Sequence, residues 1–408
     1  MRHTKFVTVF SPIAFMISFL AGACSTMEKS DARKSNITEI DSPAQPGSAE
    51  PNLTQGDDGK IYLSWVEKQD DGSQALKFSR WSDSAWSEPG EIARGADWFV
   101  NWADFPTLGV TKTGTMMASW LKKSGPDTYS YDVNFSLSTN NGKSWSDPFV
   151  LHSDGIEAEH GFVSIAPISD NEFAAVWLDG REMINDGGAM TLRYATVSST
   201  GEISDETLLD SRVCDCCQTS IVKTETGGLV VVYRGRSSEE IRDILAVRFD
   251  GAEWSSVQSF PNDDWYMPGC PGNGPSICAR DSLVASGWYV GGDSTSVKVS
   301  FSTDHGATFG EAQRIDAGSP DGRVDLCFLT DSTVLVIWLE TINEKPKILA
   351  RVVCVSGDMS EITTISLTDR SRASGFPHLA TLGENKALVA WTQVGEPGNI
   401  RTAIINLN

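Results

Sequence analysis

The sequence predicts an all-β fold, a β-propeller of four-stranded blades, with seven blades expected and six the alternative. Three observations predict it. First, a short apolar run ending in an aromatic returns seven times, at Ile61–Trp65, Met116–Trp120, Phe173–Trp177, Leu229–Tyr233, Val284–Trp288, Val334–Trp338 and Ala387–Trp391. The final aromatics are 55, 57, 56, 55, 50 and 53 residues apart, and a fixed period of this size marks a repeat architecture. Second, other short apolar stretches flank each copy, such as Phe105–Leu108 before and Val133–Ser136 after, and turn residues separate them. That makes about four strands per unit. Third, no stretch carries the i, i+3, i+4 spacing of an amphipathic helix.

The elements follow in order. Residues 1–23 have a basic start (Arg2, Lys5), an apolar stretch Phe6–Leu20 and small residues before Cys24. They read as a secretory leader that resembles a bacterial lipoprotein signal, with Cys24 as the lipidated residue. Residues 24–36, at the head of a stretch (25–50) rich in Ser, Glu, Asp and Pro, are expected to be a flexible tether. Residues 37–408 are then one propeller domain, and the 385 residues that follow the leader give about 55 per blade. The seventh copy has no fourth run of its own. Ile37–Ile40 is expected to supply that edge strand and close the ring. The expected location is the cell envelope, by a lipid anchor at the outer membrane, where disulfides can persist.

The formal charge of −21 argues against nucleic acid or anionic lipid as the main partner. Apolar residues make up 40% of the chain, an ordinary globular balance. A monomer is expected.

Two turns carry a motif. Ser302, Asp304, Gly306, Thr308 and Phe309 fit the pattern S-x-D-x-G-x-T-W/F, and Ser138, Asn140, Gly142, Ser144 and Trp145 repeat it with Asn for Asp. The acid or amide can accept backbone N–H groups, and Gly supplies the positive φ of the turn. The pattern resembles the BNR/Asp-box repeat of the sialidase superfamily, whose boxes lie away from the catalytic mouth. The resemblance implies a propeller over nearly the whole mature chain. It also implies a site with an arginine triad, a Tyr–Glu nucleophile pair and an Asp acid/base. The first blade departs from that family, reading Glu50–Thr54 where Arg-Ile-Pro would stand.

Loops entering the first strands and those joining second and third strands should share one face. They carry Trp102, Asp104, His160, Trp265, Tyr266, Arg181, Arg234, Glu240 and Arg323. Arg181, Arg234 and Arg323 could form a three-way clamp for an anion, with Trp102 and Trp265 stacking on a sugar. Glu240, in a stretch rich in Arg, could act with a tyrosine as in sialidases, with Asp104 as acid/base. His160 or Tyr266 could instead be the base of a polysaccharide lyase. The expected partner is an anionic glycan. Sialidase-type hydrolysis is the first reading, a noncatalytic binding propeller the second and a lyase the third.

Cys214, Cys216 and Cys217 open the fourth unit and Cys270 opens the fifth. One or two disulfides among them are expected, with a thiolate metal site the lesser alternative and otherwise no cofactor.

Overall fold

The computed structural model of the protein describes Met1, residues 36–260 and residues 263–407. The lipidation expected at Cys24 lies outside the described residues, as do the leader beyond Met1 and the tether as far as residue 35. Seven antiparallel sheets form the blades of a propeller. Among the described residues no helix is long and apolar enough to cross a membrane.

Each recurring apolar run is the second strand of a blade. These strands are Ile61–Lys68, Met116–Lys123, Glu172–Asp179, Leu229–Arg234, Leu283–Val290, Thr333–Ile342 and Lys386–Gln393. They are buried on both faces, which explains runs that are apolar without alternation. Inside each lies a first strand along the central channel. In order these are Ser48–Gln55, Leu108–Val110, His160–Ser169, Ser220–Lys223, Ser276–Arg280, Pro320–Phe328 and His378–Gly383. Blade 2 has three strands, and a single bridge between Phe135 and Phe149 stands in its fourth place. In blade 7 the outer strand is Asn36–Ile40, paired with Asn399–Asn406 from Asn36 opposite Asn406 to Ile40 opposite Thr402.

The apolar cores lie between blades. Leu335, Ile337 and Ile348 of blade 6, for example, pack on Leu379, Val389 and Trp391 of blade 7. Several of the tryptophans that end the repeated runs are polar as well as apolar contacts. The Trp177 indole N–H donates to Asp179 at 2.9 Å, Trp338 to Glu340 at 2.7 Å and Trp65 to Glu67 at 3.2 Å. In each case the acid stands two residues on, which in a strand is the same face.

The two motif turns follow third strands, in blade 5 leading to the fourth strand and in blade 2 to the Phe149 bridge. Ser302 Oγ donates to Asp304 Oδ1 at 2.7 Å, and Asp304 accepts the Thr308 N–H at 2.9 Å and the Thr308 hydroxyl at 2.6 Å. Ser138, Asn140 and Ser144 repeat the arrangement, and Ser138 Oγ accepts the Gly142 N–H at 2.9 Å. Gly306 has φ +80, and a Cβ there would sit 2.4 Å from Val230 of the preceding blade. The turn thus needs glycine for its dihedral and for its contact.

First strands of all seven blades line a central cavity of about 1130 Å³. Near the mouth face Phe105, Phe376 and His378 narrow it, and Trp102 stacks on Phe376 at 5.8 Å.

Removing residues 36–40 would bare the edge of Asn399–Asn406. The expected result is a thermal midpoint several degrees lower and concentration-dependent self-association, read by calorimetry and light scattering. A truncated chain as stable and as monodisperse as the full one would contradict the assigned pairing.

Candidate active site

The arginines expected to clamp an anion are committed to internal partners. Arg234 is buried and donates to the carbonyls of Asn273, Arg242 and Tyr289 at 2.9, 2.6 and 2.7 Å, with its guanidinium over the Trp265 ring. Arg323 donates to Ser374 Oγ and to the carbonyls of Gly375 and Ser371, with Trp102 stacked against it. Burial lowers the Arg323 pKa to about 10. Arg181 is bidentate to Asp179, at 2.7 and 2.6 Å, and also meets Asp154 and Glu206. The three do not converge. A buried guanidinium must satisfy five N–H groups, and the acceptors within reach were loop carbonyls for Arg234 and Arg323 and carboxylates for Arg181. Trp102 and Trp265 are the platforms for these arginines, so the sugar-stacking role expected of them is also displaced.

The other expected residues are dispersed. Glu240 accepts from Arg236 at 2.8 Å and Arg242 at 2.7 Å, and these hydrogen bonds, the one to Arg236 foremost, hold its carboxyl below the usual range. Tyr266 is exposed on the rim and pairs through its backbone with Ile241. His160 is fully buried, and no open face is left to it as a base. Asp104 is buried, with Oδ1 accepting the Phe162 N–H at 2.8 Å and Oδ2 without a partner.

His160 belongs to a cage between blades 2 and 3. Its ring stacks on His152 with centroids 3.8 Å apart and planes 9° from parallel. Asp132 Oδ1 lies 3.4 Å from His152 Nε2 and 3.2 Å from His160 Nδ1, and Asp154 Oδ2 lies 3.1 Å from His152 Nδ1. Asp132, His152 and His160 form one set with metal-ligating atoms close together, and Asp154, His160 and Asp179 another. An ion binds imidazole in the ring plane, and no point lies in both of two parallel stacked planes, so the first set as arranged cannot offer both rings to one ion. The second set already shares its carboxylates with Arg181. Burial works against a charge on His152, but the carboxylates, Asp132 first, outweigh it and raise its pKa.

Apart from Asp104, the side chains that do come together at the mouth are ones the sequence did not single out. Glu159 precedes His160 and faces the other way. It accepts the Tyr131 hydroxyl at 2.7 Å. Burial, which the Tyr131 hydrogen bond opposes and the Asp215 charge reinforces, moves its pKa to about 7. Asp104 shares this neighbourhood because residue 161 is glycine. A Cβ there would lie 2.1 Å from Asp104 Oδ2 and 3.0 Å from the Tyr131 ring. Burial holds the Asp104 carboxyl well above the ordinary range. Glu50, whose Oε2 is buried without a partner, is pushed up to about 8 for the same reason.

Asp215 opens blade 4 and faces two guanidinium groups, Arg236 Nη1 at 3.8 Å and Arg242 Nη1 at 3.6 Å. The latter nitrogen is buried and makes no hydrogen bond. On the other flank Phe99 stacks on Tyr131 at 4.3 Å, Lys123 Nζ lies over the Phe99 ring, and Tyr129 stands 60% exposed. This sector of blades 2–4 thus holds a protonatable carboxyl, a carboxylate between cations, and exposed aromatic surface. The sequence signals were Asp104, read as an acid/base, the segment Glu157–Gly161, read for its histidine, and the Arg-rich stretch around Glu240, read for its acid. Cys216 and Cys270 form a disulfide between the entries to blades 4 and 5, as expected for one of the bridges, while Cys214 and Cys217 are thiols.

No protein-family model matches the chain, and no curated protein sequence matches it. Among solved structures it is similar to a lectin from Burkholderia pseudomallei, with 12% identity, a TM-score of 0.59, and 89% of this chain and 97% of that one covered. It is also similar to an ulvan lyase solved with a glucuronate–rhamnose-3-sulfate repeat, with 12% identity, a TM-score of 0.59 and coverage of 91% and 96%. A microbial sialidase matches with 13% identity, a TM-score of 0.48 and coverage of 82% and 73%. At 12% identity the property shared with the lectin and the lyase is the propeller fold.

Two outcomes follow from the site's electrostatics. Glu50 and Glu159 hold a proton more tightly folded than unfolded. Their contribution to stability is complete below pH 4.5 and is lost as pH rises through about 7 and 8. The thermal midpoint should fall between pH 5 and pH 9, and Glu50→Gln should flatten that fall; a flat wild-type profile would refute the assignment. Gly161→Ala should cost about 1–3 kcal/mol by displacing Asp104, measured by denaturant unfolding.

Proposed function

We propose that the protein is an extracytoplasmic glycan-active propeller that cleaves a glycosidic bond of an anionic glycan at the mouth of blades 2–4. Glu159 is the proton donor and Asp215 the partner carboxylate. The observation that carries this reading is the contrast between the two acids. Glu159 is poised near neutrality, with Tyr131 on its oxygen, whereas Asp215 sits between Arg236 and Arg242. Two carboxyl groups in unlike environments are what glycoside hydrolysis requires, one to protonate the leaving oxygen and one to act as base or nucleophile. Arg236, partly exposed, is the cation best placed to meet an acidic sugar, and Tyr129 and Tyr266 offer ring faces at the rim. The disulfide is consistent with an oxidising compartment, and a lipid anchor at Cys24 would hold the protein at the outer membrane. The lectin and the ulvan lyase among the structural neighbours support a carbohydrate ligand and suggest acidic polysaccharides for the first panel.

The second reading is binding without turnover, favoured by the burial of Tyr131, which keeps it from serving as a nucleophile. One experiment separates the two. Acidic oligosaccharides are incubated with wild type, Glu159→Gln and Asp215→Asn, and products and affinity are both measured. Under the hydrolase reading Glu159→Gln loses about 100-fold or more in kcat/KM and keeps its affinity. Wild-type kcat/KM falls tenfold per pH unit above about 7, because the donor must be protonated. Tight binding with no product in wild type would establish the binding reading.

A further inference from the structure

We infer that the four cysteines at the junction of blades 4 and 5 form a thiol–disulfide exchange site, in which a buried dithiol can pass its electrons to a surface disulfide. This inference is independent of the glycan reading and rests on how the four sulfurs are layered. Cys270 is exposed and Cys216 half-buried, and they are bonded to each other. Directly behind them Cys214 and Cys217 are buried, 1% and 2% exposed, and not bonded. Cys214 Sγ is 3.3 Å from Cys217 Sγ and 4.0 Å from Cys216 Sγ, so one thiol touches both its partner and the disulfide. A bridge that only staples two blades needs no such pair behind it.

The surroundings suit thiolate chemistry. Burial alone would raise the Cys217 pKa, but the hydrogen bond from Cys214, the Arg234 guanidinium and the Asn273 backbone N–H overcome it and set the thiol at about 7. Burial holds the Cys214 thiol well up, so the pair is one thiolate accepting from one thiol. A thiolate is the species that attacks a disulfide.

The exchange balances without any outside oxidant. Cys214 passes its proton to the Cys217 thiolate and its sulfur attacks Cys216. The Cys214–Cys216 bond forms, the Cys216–Cys270 bond breaks, and Cys270 leaves as an exposed thiolate. Cys217 then gives up that proton, which ends on Cys270, and attacks Cys214. The Cys214–Cys217 bond forms and Cys216 leaves as the thiolate. Two electrons have moved from the inner pair to the outer pair. A thiol or disulfide on a partner protein would meet the outer pair through Cys270.

The test tracks the bonds in the folded full chain at pH 8, without reductant and under argon. A bulky maleimide traps thiols as they reach the surface, and peptide mapping after an acid quench identifies them. In wild type, tags are expected on Cys270 and Cys216 together with a Cys214–Cys217 bond. Cys214→Ser should keep the Cys216–Cys270 bond, with tagging of Cys270 at least tenfold slower. Cys217→Ser, in which water must take the Cys214 proton, should react more slowly and stop midway, with Cys270 tagged and Cys214 bonded to Cys216. Cys327→Ser, a buried cysteine outside the cluster, should behave as wild type. The inference is overturned if wild type keeps the Cys216–Cys270 bond throughout, whether Cys214 and Cys217 are tagged or bonded to each other. It is equally overturned if Cys214→Ser releases Cys270 as fast as wild type.

Discussion

The mouth of this propeller hangs on a hydrogen bond between an indole and a buried acid two residues further along the same strand. Trp65, Trp177 and Trp338 each place the N–H of a large apolar ring against Glu67, Asp179 or Glu340. A carboxylate buried there would be costly if left unpaired, so each recruits further donors, several of them in the mouth loops. Glu340 accepts the backbone N–H groups of Ala317 and Ser319 in the linker entering blade 6. Asp179 binds the N–H and guanidinium of Arg181, and Glu67 binds Lys77 and Gln69. In blade 5 the acid comes from elsewhere in the chain: Trp288 donates to Asp263, which also takes Lys298. Core packing and loop placement are therefore one interaction seen from two sides.

The same economy explains why cations at the mouth are poor guides to a ligand site. An arginine that enters the wall is stable only with its nitrogens satisfied, and carbonyls of neighbouring loops are the densest acceptors within reach. Arg234 and Arg323 became internal props in this way, each backed by a tryptophan face. What remains open to solvent is the shorter sector around Glu159, Asp215 and Arg236. There desolvation raises the Glu159 carboxyl, and Asp215 faces two guanidinium groups.

Much of the architecture was legible because strand burial imposes a period on the sequence. The seven apolar runs became seven second strands, and the turn chemistry of Ser302–Thr308 is local enough to be read from residue types alone. The terminal strand at Asn36–Ile40 was legible as an apolar stretch facing a unit with no fourth run. The site was harder to read for a physical reason. Composition marks Arg, Trp and His as reactive or sticky but does not say which side of the wall they face. His160 and Glu159 are neighbours in sequence and lie on opposite sides: one closes a buried cage, the other meets Tyr131. His152, Asp132 and Asp154 join His160 only through the packing of blade 2 on blade 3. The cysteine cluster stands between these cases, since its spacing announced a bridge but only three dimensions show two layers of sulfur.

The composite seventh blade also bears on how the chain reaches its native state. Its outer strand is made first and its other three last, so this sheet joins residues more than 360 positions apart. Contacts of such separation form late, because the entropy of closing so long a loop comes due before the pairing compensates for it. Blades 1–6 are hairpins of local origin and can assemble as synthesis proceeds. Blade 7 packs on blade 1 through residues such as Leu388 and Ala390 against Leu63 and Trp65, so what waits for Asn36–Ile40 is the unpaired edge at Asn399–Asn406. Pairing of that strand is thus expected late in folding, and the lifetime of the bare edge sets the interval during which another chain could take the vacant place.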